Sequence, residues 1–317
     1  MARPHSVALV GPSGIGRIHA REFYRVGVPV TAVLASTPES SRAAAAALTE
    51  EFGTAVEGFG SLEEISAANI SAAVICSPPE NHLEAIDAFL GADKYVLCEK
   101  PLFWQEGLST GAVAEICSRL AVRADGRLVV NTNNTWFPEA WFEQHGKPDK
   151  LSKFGFHFYT NGPFRANAIG VDLLPHALSI LLETLPGEYP ESVLADIEKT
   201  VSDDRFACSF DYGGVKCDVD LRQDPGCVRA LGFRVDDTSV ERIQRVTDGE
   251  YNVYLAPAGQ TGDALQVADP FEISIRRFVD GVAAGQRFDA EMTRAGQVMT
   301  MMTQLMTAPS TAPSTDV

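Results

Sequence analysis

Two charged residues, Glu99 and Lys100, directly follow a run with the character of a buried strand. Residues 96–98 have the apolar side chains of a strand end, and Pro101 restricts Lys100 to extended or turn backbone. In open α/β sheets, ligands bind in the crevice beyond the carboxyl ends of the strands. The pair therefore predicts a ligand-binding position, with a solvated turn as the alternative.

A glycine-rich turn follows the first apolar strand, which is predicted at residues 6–10. The sequence GPSGIG covers residues 11–16 and precedes a helical pattern. In this context the first N–H groups of the helix bind a pyrophosphate, and glycine lets the backbone come close to it. Ser13 stands at the middle glycine of the dinucleotide-binding pattern, so a plain strand-to-helix turn is the alternative. The candidate cofactor residues of this turn are Gly11, Ser13, Gly14, Ile15 and Gly16.

The end of the second predicted strand, at residues 29–36, indicates which dinucleotide is bound. An acidic residue at this point would bind the ribose 2′-hydroxyl of NAD, whereas a nearby arginine suits the 2′-phosphate of NADP. The chain has Ser36 and Thr37 here, and Arg42 follows in the next predicted helix. We therefore favour NADP as the cofactor, and NAD stays the alternative.

Composition and charge argue against several classes of partner. The 317 residues are 45% hydrophobic, and their formal net charge of −16 would repel phosphate backbones and anionic lipid surfaces. We therefore expect neither a nucleic acid nor a membrane as partner. Since no run of about 18 apolar residues occurs, we expect a soluble, cytoplasmic protein. The six cysteines have no CxxC spacing, so we expect reduced thiols and no metal site.

Strands alternate with helices in the first part of the chain, which is typical of a Rossmann fold, a doubly wound parallel sheet. Further strands are predicted at residues 72–76, 96–98 and 128–131, and helices at residues 39–52, 83–90 and 105–122.

From residue 151 onward, the pattern is typical of a largely antiparallel open sheet. We expect an α/β protein with a dinucleotide-binding Rossmann domain at residues 1–134, an α+β domain at 135–307 and a disordered tail at 308–317. The predicted strands of the second domain are residues 153–159, 193–201, 206–212, 215–221, 230–235, 240–246 and 251–255, and its predicted helices are residues 172–185, 270–284 and 290–306.

With these residues assembled, the chain resembles the Gfo/Idh/MocA family of nicotinamide-dependent oxidoreductases, named for glucose-fructose oxidoreductase and inositol dehydrogenase. The shared motifs are the glycine turn with Arg17 and His19, SPP followed by His82, CEKP at residues 98–101, VNTNNTWFP at residues 130–138, and GVDLLPH at residues 170–176. The EKP motif followed by D-x-x-x-H is the most specific of them. The resemblance implies that Ser77, Pro78, His82, Glu99 and Lys100 also lie at the cofactor.

The resemblance further implies that Lys100, Asp172 and His176 form the catalytic group. In the family, the lysine lies near the nicotinamide and the substrate hydroxyl, and the histidine takes or gives the proton. General chemistry agrees, because oxidation of an alcohol requires loss of the hydroxyl proton, and a histidine with a pKa near about 6.5 suits its transfer. A fixed lysine charge stabilises the developing alkoxide.

Each member of this group has a simpler alternative. Asp172 has the residue type of a helix cap. If Pro175 begins the helix, Leu174 is the cap and Asp172 is released from that role. His176 has the alternative of an ordinary helix histidine. If one helix includes both Asp172 and His176, their spacing of four places them on one face.

The substrate site is predicted from polar residues near these motifs. Arg165, just before the catalytic helix, would suit a carboxylate or phosphate. The chain lacks the arginine that many sugar-acting members carry after the asparagine at position 133. The bulky Phe103 and Trp104 predict a more apolar pocket, or else core packing. The predicted substrate-binding residues are Asn133, Trp136, Asn161, Arg165 and Asp172.

The expected function is reversible hydride transfer between NAD(P) and a secondary alcohol or ketone of a sugar, a cyclitol or a related small polar metabolite. The alternatives are reduction of an imine or a conjugated pigment on the same fold, and a non-catalytic NAD(P)-binding regulator. The resemblance also implies a homodimer or homotetramer, formed through the open sheet of a second domain that binds substrate.

Overall fold

The computed structural model of the chain describes residues 6–185, 193–247, 250–260 and 264–310. The tail predicted at residues 308–317 lies outside the described residues from residue 311 on. The chain forms two compact units. The first contains the chain up to Gly107, Glu115–Asn133 and Phe271–Ala295, and the second contains Leu108–Ala114, Asn134–Pro270 and the chain from Gly296 onward.

Strands and helices alternate through the first 131 residues, as the sequence pattern predicts. The elements are β1 (Val7–Val10), α1 (Ile15–Arg25), β2 (Val30–Leu34), α2 (Pro38–Phe52), β3 (Glu57–Gly58), α3 (Leu62–Ser66), β4 (Ala72–Ile75), α4 (His82–Gly91), β5 (Tyr95–Glu99), α5 (Thr110–Ala124) and β6 (Leu128–Asn131). The six strands pair in parallel in the order β3-β2-β1-β4-β5-β6. This sheet confirms the Rossmann fold, because the strand order reverses between β1 and β4.

The described residues after β6 form a second sheet and further helices. The elements are α6 (Trp136–His145), β7 (Lys153–Thr160), α7 (Asn167–Thr184), β8 (Ala195–Val201), β9 (Arg205–Tyr212), β10 (Val215–Gln223), β11 (Ala230–Val235), β12 (Thr238–Thr247), β13 (Glu250–Pro257), β14 (Leu265–Val267), α8 (Pro270–Ala284) and α9 (Asp289–Thr307). The strand order is β14-β13-β12-β11-β7-β10-β9-β8. Since β7 and β10 are the only parallel pair of this sheet among the described residues, the prediction of a largely antiparallel sheet is confirmed.

Helix α8 belongs to the core of the first unit. Its buried Ile275, Phe278 and Val279 lie in one hydrophobic cluster with Leu9 of β1 and Phe23 of α1. The rings of Phe23 and Phe278 meet edge to face at 6.4 Å. Residues 271–295, which the sequence prediction assigned to the second domain, are therefore part of the first compact unit. The division of the chain by function stays a prediction.

The structure departs from the sequence predictions at α3, α5, α6 and α7. Helix α5 begins at Thr110 instead of residue 105, and α3 and α6 were not predicted at all. Helix α7 begins at Asn167, five residues before the predicted start, so Pro175 lies inside it. Within the described ranges, no helix combines the length and the apolar character needed to cross a bilayer.

Candidate active site

The glycine turn after β1 approaches the neighbouring backbone more closely than a side chain would allow. Gly11 has a φ of +81°, and a Cβ at this position would lie 2.7 Å from backbone atoms of Cys76 and Ser77. Gly14, the residue before α1, also has a positive φ, of +53°. Both positions therefore favour glycine, which adopts this backbone at no steric cost. The turn has the build of a phosphate-binding loop.

The start of α1 is suited to an anion. Among the described residues, no side chain caps this helix, and its first turn contains no acidic residue. Its partial positive charge is therefore not offset locally. The buried hydroxyl oxygen of Ser77, next to Gly11, has no hydrogen-bond partner among the described residues. These features fit the phosphates of a dinucleotide.

The predicted 2′-phosphate residues lie on the surface around the start of α2. The Thr37 hydroxyl accepts a hydrogen bond from the Ser40 N–H, and the Ser40 hydroxyl accepts one from the Thr37 N–H, which forms a capping box. Arg42 pairs with Glu39 at 2.9 Å, and both side chains are exposed. Such exposed pairs contribute little stability, so a phosphate would compete easily for this arginine. Ser36, also exposed, lies two residues after the end of strand β2.

His82 connects the ends of two neighbouring strands. Its ring is buried, with Nε2 2.7 Å from the carbonyl oxygen of Ser77 and Nδ1 3.0 Å from that of Pro101. The thiol of Cys98 lies 3.3 Å from Nδ1. Burial lowers the pKa of His82, although its backbone contacts act in the opposite direction. This predicted cofactor residue thus supports the loops that follow β4 and β5.

Glu99 is held in a buried hydrogen-bond network at the end of β5. One carboxylate oxygen is 2.6 Å from Nε2 of His19 and accepts a 2.6 Å hydrogen bond from the amide of Asn131. The Ser274 hydroxyl donates to the side-chain oxygen of Asn131. Burial raises the pKa of Glu99, but the hydrogen bond and charge of His19, together with Lys100, outweigh it and keep this pKa below the usual value. Glu99 is therefore an ionised carboxylate that is fixed in place by His19 and Asn131.

Lys100 is the first residue after β5 and is half-buried. Its backbone N–H donates to the second carboxylate oxygen of Glu99 at 3.3 Å. The peptide bond between Lys100 and Pro101 is cis. The charged pair thus lies at the carboxyl end of a buried strand, as predicted from the sequence.

In the second unit, Asp172 and His176 lie one turn apart on α7. Because the helix begins at Asn167, Asp172 is its sixth residue and does not cap it. Pro175 does not begin the helix and Leu174 does not cap it, because the cap position is Ala166. The structure has the other arrangement, in which one helix carries Asp172 and His176 on the same face.

Two buried amide side chains contact this pair. Nε2 of Gln223 donates to a carboxylate oxygen of Asp172 at 2.6 Å. Nδ2 of Asn134 lies 3.0 Å from Nδ1 of His176. The ring of Phe158 packs edge-on against the His176 ring, with centroids 5.5 Å apart. An amide can donate to a bare Nδ1 or accept from a protonated one, so Asn134 can accompany either protonation state of the histidine.

Arg165 braces the segment before α7. Its guanidinium donates to the carbonyl oxygens of Gly162, Phe164 and Gln223 and lies 3.6 Å from Asp203. Asn161, also predicted to bind substrate, is exposed in the same segment. Arg165 thus fixes the backbone between β7 and α7.

The remaining predicted substrate residues differ in exposure. Asn133 is buried and belongs to the first unit, whereas the half-buried Trp136 begins α6 in the second. Phe103 is buried, which agrees with core packing for this side chain, and Trp104 is half-buried.

The nucleotide-binding part of the chain matches a known family. Residues 5–132 match the Gfo/Idh/MocA oxidoreductase family, which has an NAD-binding Rossmann fold. Inositol 2-dehydrogenase from Rhizobium meliloti (strain 1021) is 35% identical over 94 residues, which are 30% of this chain and 27% of the relative. The chain is thus similar to the Gfo/Idh/MocA family over residues 5–132. The resemblance seen in the motifs is therefore confirmed, although this match spans only about a quarter of the relative's length.

Solved structures extend the similarity of fold over nearly the whole chain. A 3-ketoreductase from Actinomadura kijaniata in complex with NADP has a TM-score of 0.73 and 18% identity, and covers 98% of this chain and 99% of its own. GenD2 from gentamicin A biosynthesis, in complex with NAD, has a TM-score of 0.71 and 19% identity, and covers 95% and 93%. At these identities the comparison shows the fold alone. The fold of both compact units thus occurs in solved structures.

Sequence reasoning missed the residues that surround the family's D-x-x-x-H motif. Gln223 is the last residue of an alternating strand, at a position where the buried face otherwise carries apolar side chains. A polar residue at such a position was the available signal. Asn134 adjoins the predicted Asn133, but no pattern in the sequence links it to a histidine 42 residues later.

Proposed function

We propose that the protein is an NAD(P)-dependent oxidoreductase that transfers a hydride between the nicotinamide and a secondary alcohol or ketone. The substrate class is a sugar, a cyclitol or a related small polar metabolite, as the names of its relatives suggest. The observation that carries this proposal is the Asp172 and His176 pair on one face of α7, with each polar group held by a buried amide. Such an arrangement suits proton transfer to and from an oxygen.

The residues of the first unit would hold the cofactor. The turn formed by Gly11, Ser13, Gly14, Ile15 and Gly16 would bind the pyrophosphate through its backbone. When bound, the nicotinamide supplies or accepts the hydride. Ser36, Thr37 and Arg42 would favour the 2′-phosphate of NADP, with NAD as the alternative. The other proposed cofactor-side residues are Ser77, Pro78, His82, Glu99 and Lys100.

In oxidation, His176 takes the proton of the substrate hydroxyl, and in reduction it returns that proton to the carbonyl oxygen. Lys100 places a positive charge near this oxygen and stabilises the charge that develops on it. Asp172 would orient or polarise the histidine, or else hold a substrate hydroxyl. The proposed further substrate contacts are Asn133, Trp136, Asn161 and Arg165.

The proposed organisation assigns cofactor binding to residues 1–134 and substrate binding to residues 135–307. It also includes self-association of the second domain into a homodimer or homotetramer through its open sheet. We propose a cytoplasmic protein, in keeping with its six free thiols.

The proposal is tested by titrating the protein with NADH and with NADPH, followed by fluorescence, and then by assaying turnover of polyols and their ketones. We expect Lys100→Met to reduce turnover at least about a hundredfold, because methionine keeps the length of the side chain but removes its charge. Binding of the reduced cofactor should remain measurable.

Lys94→Met is the matched control, because Lys94 lies just before β5 and donates to the carbonyl oxygen of Ile70. This variant should keep wild-type turnover. Arg42→Ala should weaken the binding of NADPH but not of NADH. Full turnover by Lys100→Met would remove the lysine from the mechanism, and failure to bind either cofactor would end the oxidoreductase proposal.

A further inference from the structure

We propose that Gln223 is a positioning residue that holds the carboxylate of Asp172 in one orientation and leaves it negatively charged beside His176. This inference rests on the proposed function, because it assigns the aspartate to the reacting site. It adds a residue from the end of β10 to a pair that lies on α7.

The orientation of the Gln223 amide is determined by its two partners. Its Oε1 accepts a hydrogen bond from the backbone N–H of Phe164 at 3.0 Å. A backbone N–H can only donate, so the amide oxygen must face Phe164 and the amide nitrogen must face Asp172. The 2.6 Å contact with Asp172 is then a hydrogen bond from Nε2 to the carboxylate.

The backbone of Gln223 is also fixed by hydrogen bonds. The residue is 1% exposed, its N–H donates to the carbonyl oxygen of Asp204 at 3.0 Å, and its carbonyl oxygen accepts from Arg165 at 3.3 Å. Gly162 leaves room for the amide, because a Cβ at that position would lie 2.7 Å from the side-chain carbon Cδ of Gln223. Because these contacts fix Gln223 on the sheet, its amide can hold the side chain of Asp172 in one orientation.

The choice of an amide has a chemical consequence. A lysine or arginine at position 223 would also donate to Asp172, but it would neutralise the carboxylate charge. Glutamine supplies the hydrogen bond, which is charge-assisted, and brings no charge of its own. The negative charge of Asp172 therefore remains available to His176, one helical turn away.

The test compares Gln223→Glu with Asp172→Asn and with the double variant that carries both changes. In Gln223→Glu, the backbone contact with Phe164 is kept, but an acceptor replaces the donor that faces Asp172. We expect kcat/KM to fall about tenfold or more, because loss of a hydrogen bond to a charged group costs at least this much. The thermal midpoint should also fall.

The double variant separates positioning from a purely structural role. The amide introduced at position 172 can donate to the carboxylate introduced at position 223, so the hydrogen bond is restored with the charge on the other residue. We expect the thermal midpoint to recover, while kcat/KM stays at the value of Asp172→Asn alone. If the double variant instead showed the sum of the kcat/KM losses of Gln223→Glu and Asp172→Asn, the proposal would be overturned.

Gln304→Glu is the matched control. The side-chain oxygen of Gln304 also accepts from a backbone N–H, that of Leu194 at 3.0 Å. Its kcat/KM should stay within about twofold of wild type, the scatter expected for a change outside the site. Unchanged kcat/KM in Gln223→Glu, beside a clear loss in Asp172→Asn, would refute the role of Gln223. If Asp172→Asn keeps full turnover, or if the wild type turns over no polyol or ketone, the proposed function fails and this role fails with it. The thermal midpoints then still show whether Gln223 holds Asp172.

Discussion

At the end of β5, Glu99 and Lys100 are neighbours in the chain but have different surroundings. Glu99 is enclosed by His19 and Asn131, whereas Lys100 is half-buried. Glu99 is thus the fixed residue of the motif, and its carboxylate accepts a hydrogen bond from the backbone N–H of Lys100. Placing both residues at a strand end was possible from the sequence, because a charged pair after an apolar run is a local signal. The enclosure of Glu99 was not, since its partners are 80 and 32 residues away.

The lowered pKa of Glu99 makes the stability of the first unit depend on pH. A carboxyl group whose pKa is lower in the folded state stabilises that state above its unfolded pKa, and this contribution is lost as pH falls through the folded pKa. We expect Glu99→Gln to lose about 1–3 kcal/mol at pH 7, because glutamine keeps some hydrogen bonds but not the charge.

Thermal unfolding measured from pH 7 down to acid checks this expectation. The difference between the wild type and Glu99→Gln should shrink as the pH falls below the unfolded pKa of the carboxyl group. Glu51→Gln is the control, because Glu51 pairs with Arg17 at the surface, where a salt bridge contributes little. A difference that is constant over the whole pH range would contradict the role given to the charge.

At the scale of elements, α7 brings Asp172 and His176 onto one helix face despite an unfavourable sequence. Pro175 lies in its interior, where proline has no N–H to donate, and Ala166 precedes its first turn with a φ of +48°. The sequence rules place proline at a helix start and glycine at a positive φ, so they predict a later beginning for this helix. The tertiary packing of its apolar side chains, most of them buried, outweighs both local preferences.

Ala166 therefore marks a position where stability can be gained. We expect Ala166→Gly to stabilise the protein by about 0.5–1 kcal/mol, because glycine adopts a positive φ without steric strain. Ala168→Gly, two residues later and exposed within α7, should destabilise it by about 0.5–1 kcal/mol, because glycine is a poor helix former. Chemical denaturation of the two variants measures both values, and effects of equal sign would contradict the strain at Ala166.

At the scale of the whole molecule, the first compact unit is not continuous in sequence. Its sheet is complete at residue 131, but its core includes α8, which follows more than 130 residues later. The amphipathic pattern of α8 shows that the helix has a buried face and cannot show which sheet that face covers. For this reason the two kinds of sheet could be predicted from the sequence, whereas the position of α8 could not.

A fragment that ends at residue 134 should therefore fail to fold cooperatively. Without α8, the side chains around Leu9 and Phe23 lose the apolar contacts of Phe278 and its neighbours, and burial of one such aromatic side chain alone contributes about 3 kcal/mol or more. A second fragment, with residues 271–295 joined after residue 134 by a flexible glycine-serine linker, should regain a cooperative transition. Circular dichroism during urea denaturation compares the two fragments, and equal transitions would show that α8 is dispensable.

The late position of α8 also affects the order of events on the ribosome. Residues 132–295 must be synthesised after β6 before the first unit can close, which takes roughly 8–33 s at about 5–20 residues per second. During that interval the nascent Rossmann sheet exposes the apolar surface that α8 later covers. Apolar surface that is exposed for seconds during synthesis is prone to aggregation and is the kind of surface that chaperones protect. In the finished protein α8 covers it.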